Sequence, residues 1–312
     1  MIPRITAYLD QGIYSKIRNI DHSWLGKTLI ELGALPVFSD AHLTEMQNSG
    51  RPEEFAKVLE ELNACYLRNP GAYHNSYHPI ASFDIGQARA RLASHTVESE
   101  NYLKAFLPML HHMLGGLRKT HLTEIATGSS AEIKSLVDSL LAASPDPPSE
   151  NDLEKIKASI LATEKNLLEW DIEKDKKSIL KQREAVRKGD VLQGLPPLEK
   201  IDFLLSFLDE DQRTKFISIY PPSFALKRPL KNGEVTGFAF TLFGLGLIHD
   251  RKMYTGPRQE QRFAAQYRDA WHIEEASRCD IFLTADEGAF ELAKATYAYS
   301  GFPTKVACLK FP

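Results

Sequence analysis

The stretch Asp269-Ala-Trp-His-Ile-Glu-Glu-Ala276-Ser-Arg-Cys-Asp280-Ile-Phe-Leu-Thr-Ala-Asp286 decides how the chain is read. Ile273 and Ala276 carry the apolar side of a helix that leads into a short buried strand, Ile281 to Thr284. Asp286 follows that strand across Ala285. Gly288 to Tyr299 then reads as a helix stopped by Gly301 and Pro303, and Lys305 to Leu309 as a last strand.

The opening of the chain has the same grammar. Ile5 to Leu9 is an apolar run closed by Asp10 and Gly12, which predicts a buried strand delivering Asp10 at its carboxyl end and a helix from about Ile13. Gly33 breaks the chain before a second strand, Leu35 to Phe38, after which Ser39 or Asp40 caps a helix carrying His42 and Glu45.

Between these ends the pattern is helical. Expected helices are Glu53 to Leu67, Phe83 to Leu92, Glu98 to Leu117, Ala131 to Ala143 and a long charged one, Leu153 to Arg187. Pro145, Pro147 and Pro148 mark an interior linker. Pro196 and Pro197 precede two short helices, Ile201 to Leu208 and Gln212 to Tyr220. Gly237 to Ile248 reads as a packed core element, and Gln259 to Cys279 as helical with a break near Arg268. Alternating strands and helices at both ends of a helical middle predict an α/β fold with a mostly parallel sheet. The expected division is a discontinuous core, residues 1–51 and 231–312, and a mainly helical insertion, 52–230.

Composition sets the outer bounds. Of 312 residues, 43% are apolar and 25% charged, which suits a globular protein, and the net charge of −3 gives no overall pull toward nucleic acid. Contact with a phosphate backbone must then rest on a local basic patch or on cations bridging carboxylates to phosphate. Cys65, Cys279 and Cys308 are far apart and form no CxxC unit, so a reducing, cytoplasmic setting is expected. There is no leader-like segment after Met1, and Phe238 to Ile248 is too short to span a bilayer, so no membrane partner is expected.

Phosphodiester hydrolysis needs a strengthened water nucleophile and neutralised phosphate charge, and carboxylates holding divalent cations supply both. Open parallel sheets place ligands beyond the carboxyl ends of their strands. Asp10 and Asp286 stand there, Glu45 lies in the helix after the second strand, and Asp269 precedes the helical pattern leading into the third. Taken alone, each is as readily a turn former or helix cap.

The opening Ile5-Thr6-Ala7-Tyr8-Leu9-Asp10 and the stretch Asp269 to Asp286 resemble the two ends of the PIN-like nuclease superfamily. The resemblance covers about 40% of the chain, split between its ends, and is more specific in its second part. It implies a three-layer α/β/α fold with four acidic residues, matched here by Asp10, Glu45, Asp269 and Asp286, holding Mg2+ or Mn2+. It further implies endonucleolytic cleavage of RNA, or of DNA in some members, by metal-activated water. The long helical middle departs from a minimal domain of this type and offers a surface for substrate or a protein partner.

Other residues admit two readings. Asp280 precedes its strand and so belongs to the opposite end from Asp286; Asp40 caps its helix or supports Glu45. Glu274, Glu275 and Glu287 read as solvated, though Glu287 is close enough to Asp286 to be an outer ligand. His272 either orients Asp269, touches phosphate or is a core histidine, and His42 is equally ambiguous. His111 and His112 point apart, while His74 and His78 sit in a proline- and glycine-rich loop. Arg251, Lys252, Arg258, Arg262 and Arg268 are the basic candidates, with Arg258 and Arg262 spaced to share a helix face and meet phosphate. Arg251 could instead pair with Asp250. Two rival functions remain open: a catalytically inactive PIN-like module that binds nucleic acid or protein, and another magnesium-dependent phosphoryl-transfer enzyme. The second lacks its DxD signature, since Gln11 and Gly12 follow Asp10, and no GxxxxGK[ST] loop is present.

Overall fold

Ile5–Leu9 forms the central strand β1, and its inner residues Ala7, Tyr8 and Leu9 have no exposed surface. A strand covered on both faces reads as a continuous apolar run, which is why this segment shows no alternation. In the computed structural model the described residues are 5–18, 23–68, 82–84, 88–95, 107–117, 120–143, 149–169, 172–188, 191–222, 233–248 and 257–311.

From β1 the chain runs through α1 (Gln11–Ile17) and α2 (Ser23–Glu31) to β2 (Ala34–Phe38), then α3 (Asp40–Asn48), α4 (Pro52–Glu61), β3 (Cys65–Arg68), β4 (Ser82–Asp84) and α5 (Ala88–Ser94). Helices α6 (Leu122–Ala143), α7 (Glu150–Glu169), α8 (Ile172–Lys188), α9 (Pro197–Leu205), α10 (Glu210–Ile219), α11 (Glu234–Leu245) and α12 (Gln259–Ala276) follow. The chain then forms β5 (Ile281–Thr284), α13 (Glu287–Ser300) and β6 (Lys305–Cys308).

The sheet order is β4-β3-β2-β1-β5-β6, parallel throughout except for the edge strand β4. Ala7 pairs with Pro36 on one side and with Ile281 on the other. Successive strands grow outward from β1 toward β3, whereas β5 returns to the opposite side of β1. That reversal opens a crevice at the carboxyl ends of the central strands, the place where such sheets bind ligands.

Helices cover both faces, giving a three-layer α/β/α arrangement. On one face Ala7 and Leu9 join Ile13, Tyr14, Ile17, Leu25, Leu29, Phe55 and Leu59 in a single apolar core. On the other, Tyr8 and Phe282 meet each other at 6.1 Å between rings, and Tyr8 meets His272 of α12. Gly301 ends α13 in the left-handed conformation, φ 72°, where a Cβ would be strained.

The described residues group into two compact units: one within 1–96, 186–249 and 266–312, holding the whole sheet, and one within 97–185 and 250–265. In the second, all regular structure is helical. Met109, Leu117, Ile125 and Ala126 form its small core, and Phe263 stacks on His111 at 4.5 Å.

β1 and β5 span the residues expected from the sequence, and β2, β6 and α13 agree within one residue at each end. Other segments differ. The helix expected over Glu53 to Leu67 stops at Glu61, because Asn63 turns the chain at φ 49° and Cys65–Arg68 enters the sheet beside Val37 and Phe38. Phe83 to Leu92 is strand β4 followed by α5 rather than one helix, so the sheet continues past residue 51. Leu153 to Arg187 is divided between α7 and α8, and α12 runs unbroken through Arg268. The triple-proline linker, residues 98–106, and His74 and His78 lie outside the described residues. Among the described residues no helix is long and apolar enough to cross a membrane.

Candidate metal centre

Asp10 occupies the N-cap position of α1, yet its side chain caps nothing there. It turns instead to Thr284, whose hydroxyl donates to Asp10 Oδ2 at 2.7 Å. The same Thr284 oxygen accepts the backbone N–H of Asp286 at 3.1 Å. One hydroxyl thus joins the ends of β1 and β5. Asp286 caps α13 through Ala289 N–H, which donates to its Oδ1 at 2.9 Å, and its carboxylate remains exposed at the rim.

Glu45 reaches the same place from α3. Arg268 Nε donates to its Oε1 at 2.7 Å, and His272 Nε2 meets its Oε2 at 3.2 Å. Asp269 stands next to Arg268 on α12. Asp10, Glu45, Asp269 and Asp286 all line one cavity of about 390 Å³, together with Gln11, Gly12, Ser15 and Arg268.

The electrostatics follow from crowding. Burial and then the charges of Asp10, Glu45 and Asp286 drive the Asp269 pKa well above the usual carboxylate range, and Arg268 offsets them only in part. Asp10 is also raised, chiefly by burial, against the opposing pull of His272 and Thr284. Burial would raise Glu45 too, but the hydrogen bond and charge of His272, and then Arg268, hold it below its ordinary value. Burial disfavours charge on His272, yet Glu45 outweighs it and the pKa is raised.

Behind the carboxylates lies a buried polar layer. Tyr8 Oη is 2.7 Å from His272 Nδ1 and 2.9 Å from Ser39 Oγ. Ser39 N–H donates to His42 Nδ1 at 3.1 Å, so His42 Nε2–H is the donor to Leu9 O at 2.7 Å. Burial and the neighbouring His272 push the His42 pKa far down, and it stays neutral.

Several side chains sit elsewhere than the sequence suggested. Glu274 and Glu275 are buried, not solvated, because both find internal partners. Glu274 accepts from Gly233 N–H, Thr236 N–H and the Thr236 hydroxyl at 2.7–2.8 Å, which caps the start of α11. Glu275 pairs with Arg278 at 3.2 Å. Asp40 accepts from Tyr66 Oη at 2.6 Å instead of capping α3. Asp280 takes the Thr6 N–H and hydroxyl at 2.7 Å, at the end of the sheet away from the cavity. His272 pairs with Glu45 rather than Asp269. Arg258 and Arg262 belong to the helical unit and do not line the cavity; Arg251 and Lys252 lie outside the described residues. Thr284 and Tyr8 carry no signal of their own in the sequence, although each stands two residues before a named acid, and Ser39 reads there only as a helix cap, the position it takes before α3.

Carboxylate oxygens are the hard donors that magnesium and manganese take. As the side chains stand, no group of three or more His, Cys, Asp or Glu among the described residues is disposed to hold a metal ion. Comparison with protein-family models, with curated proteins and with solved structures returns no match to this chain.

Proposed function

We propose that the chain is a PIN-like, divalent-metal-dependent endonuclease that cleaves RNA phosphodiester bonds. One observation carries this reading: four carboxylates from four separate segments line a single cavity beside the strand reversal at β1 and β5. Such convergence is costly unless a cation or protons compensate it.

The donor set suits Mg2+ or Mn2+. Arg268 and His272 offset only part of the charge of the four carboxylates, and Gln11 Oε1, on a residue 8% exposed in the cavity wall, has no hydrogen-bond partner among the described residues. Asp10, Asp269 and Asp286 would hold the ion, with Glu45 as the fourth acid. When bound, the ion supplies neutralisation of phosphate charge and acidity toward water. The chain's own part is to orient and exclude. Thr284 aims Asp10, Asp286 keeps its position through the α13 cap, and Arg268 has guanidinium donors beyond the Nε spent on Glu45 to meet a phosphate oxygen. Hydrolysis then joins a water oxygen to phosphorus as the P–O ester bond breaks. RNA is preferred to DNA on the resemblance, the helical unit offers a surface for substrate or a protein partner, and the cytoplasm is the setting.

The competing reading, a PIN-like module that binds without cutting, is favoured by one feature. Glu45 is already held by Arg268 and His272. Incubating the protein with single-stranded and hairpin RNA, with Mn2+ or Mg2+, separates the two. Cleavage that needs metal and is lost in Asp10→Asn and Asp286→Asn supports the nuclease. RNA retained on the protein without cleavage, equally in all three, supports the binding module.

A further inference from the structure

Tyr8 sits on β1 with no exposed surface, and a phenylalanine would fill the same volume without burying a hydroxyl. That hydroxyl is committed twice. It meets Ser39 Oγ at 2.9 Å and His272 Nδ1 at 2.7 Å. Ser39 is the N-cap of α3, the helix that carries Glu45, and His272 Nε2 reaches Glu45 Oε2 at 3.2 Å. The contacts therefore close a ring: Tyr8 to Ser39, along α3 to Glu45, across to His272, and back to Tyr8.

The ring ties three elements that each deliver an acid to the cavity. Asp10 follows Tyr8 by two residues, just past the end of β1, Glu45 rides on α3, and Asp269 precedes His272 by three residues on α12. Both nitrogens of His272 are used, and both oxygens of Glu45 are held, one by His272 and one by Arg268. We propose that Tyr8 is a positioning residue that sets the spacing of Asp10, Glu45 and Asp269 and thereby the affinity of the cavity for a divalent cation. The proposal rests on the metal-site reading above. Partners of this kind, behind the ligands, typically change metal affinity 10- to 100-fold.

Tyr14 gives a matched control. It is equally buried one turn into α1, and its hydroxyl has no hydrogen-bond partner among the described residues. The test measures Mn2+ binding to the whole chain by electron paramagnetic resonance of the free ion, with no substrate present, for wild type, Tyr8→Phe, Ser39→Ala, Tyr14→Phe and Asp10→Asn. Expected are a rise of about 10-fold or more in the Mn2+ dissociation constant for Y8F, a smaller rise for S39A, and no change for Y14F, with cooperative melting retained. In RNA cleavage, Y8F then needs more Mn2+ for half-activation but approaches the wild-type rate at saturation, a pattern that a general loss of packing does not produce. If Y8F and Y14F both bind Mn2+ as wild type does while D10N does not, the positioning role is overturned and the metal site stands. If wild type binds no better than D10N, the metal reading fails and the positioning role with it.

Discussion

The Thr284 hydroxyl lies fully buried between two carboxylate-bearing strand ends, donating to Asp10 Oδ2 while accepting the backbone N–H of Asp286. Thr284→Val keeps the shape and removes both bonds. It leaves a buried carboxylate and a backbone N–H with one partner fewer, so the expected cost is about 1–3 kcal/mol of folding stability. Urea denaturation with and without Mn2+ checks this. A variant as stable as wild type, with unchanged metal dependence, would show that the hydroxyl is idle.

Asp269→Asn is expected to stabilise the metal-free protein at pH 8. The Asp269 pKa is raised by burial and by Asp10, Glu45 and Asp286. An acid that the fold prefers protonated contributes stability at low pH and loses it as pH climbs through the folded-state value. Removing the charge should therefore raise stability at alkaline pH and change it little at pH 4. Wild type, but not D269N, should recover the difference when Mn2+ is added, by mass action. Equal gains from Mn2+ in both proteins would remove Asp269 from the site.

Glu275 predicts a second, independent pH effect. Burial lifts its pKa from 4.5 to about 7 in spite of Arg278 beside it. Stability should then decline between about pH 4.5 and 7, where the unfolded chain has lost a proton that the fold retains. The integrated change is on the order of 3 kcal/mol. Glu275→Gln, which can still accept from Arg278, should flatten that decline without altering Mn2+ binding. An unchanged slope in chemical denaturation across this range would place the titration elsewhere.

Glu274 serves only the architecture. Its carboxylate satisfies three donors at the start of α11, two of them backbone N–H groups that the helix cannot satisfy itself. Glu274→Ala should cost about 2–4 kcal/mol and leave Mn2+ affinity unchanged, as read by calorimetry on folded protein. A loss of affinity comparable to that of D10N would connect this cap to the cavity.

The four acids that line the cavity stand near element boundaries visible in the sequence: just past β1, in the helix after β2, in the helix before β5 and two residues past β5. Ile5–Leu9 and Ile281–Thr284 are short apolar runs bounded by polar residues, which is how a doubly covered strand looks. Cys65–Arg68 escaped notice because its apolar residues continue the helical spacing of Phe55, Val58 and Leu59, and only Asn63 marks the turn. Glu274 and Glu275 looked solvated because a carboxylate shows no burial in a sequence until its partners, Thr236 and Arg278, are folded against it. Tyr8, Ser39 and His272 likewise acquire meaning only through contacts spanning up to 264 residues.

β1 is flanked by β2, made soon after it, and by β5, whose paired residue Ile281 lies 274 positions beyond Ala7. At about 5–20 residues per second of synthesis, that interval lasts roughly 15–55 s. Throughout it one edge of the central strand is without its partner, and Asp10 is without Thr284, Asp269 and Asp286. A nascent chain therefore carries no assembled four-carboxylate cavity until that distant segment has been made. On the nuclease reading proposed above, the order of the strands acts as a safety catch, keeping the four acids apart until the segment carrying Asp269 and Asp286 has been made.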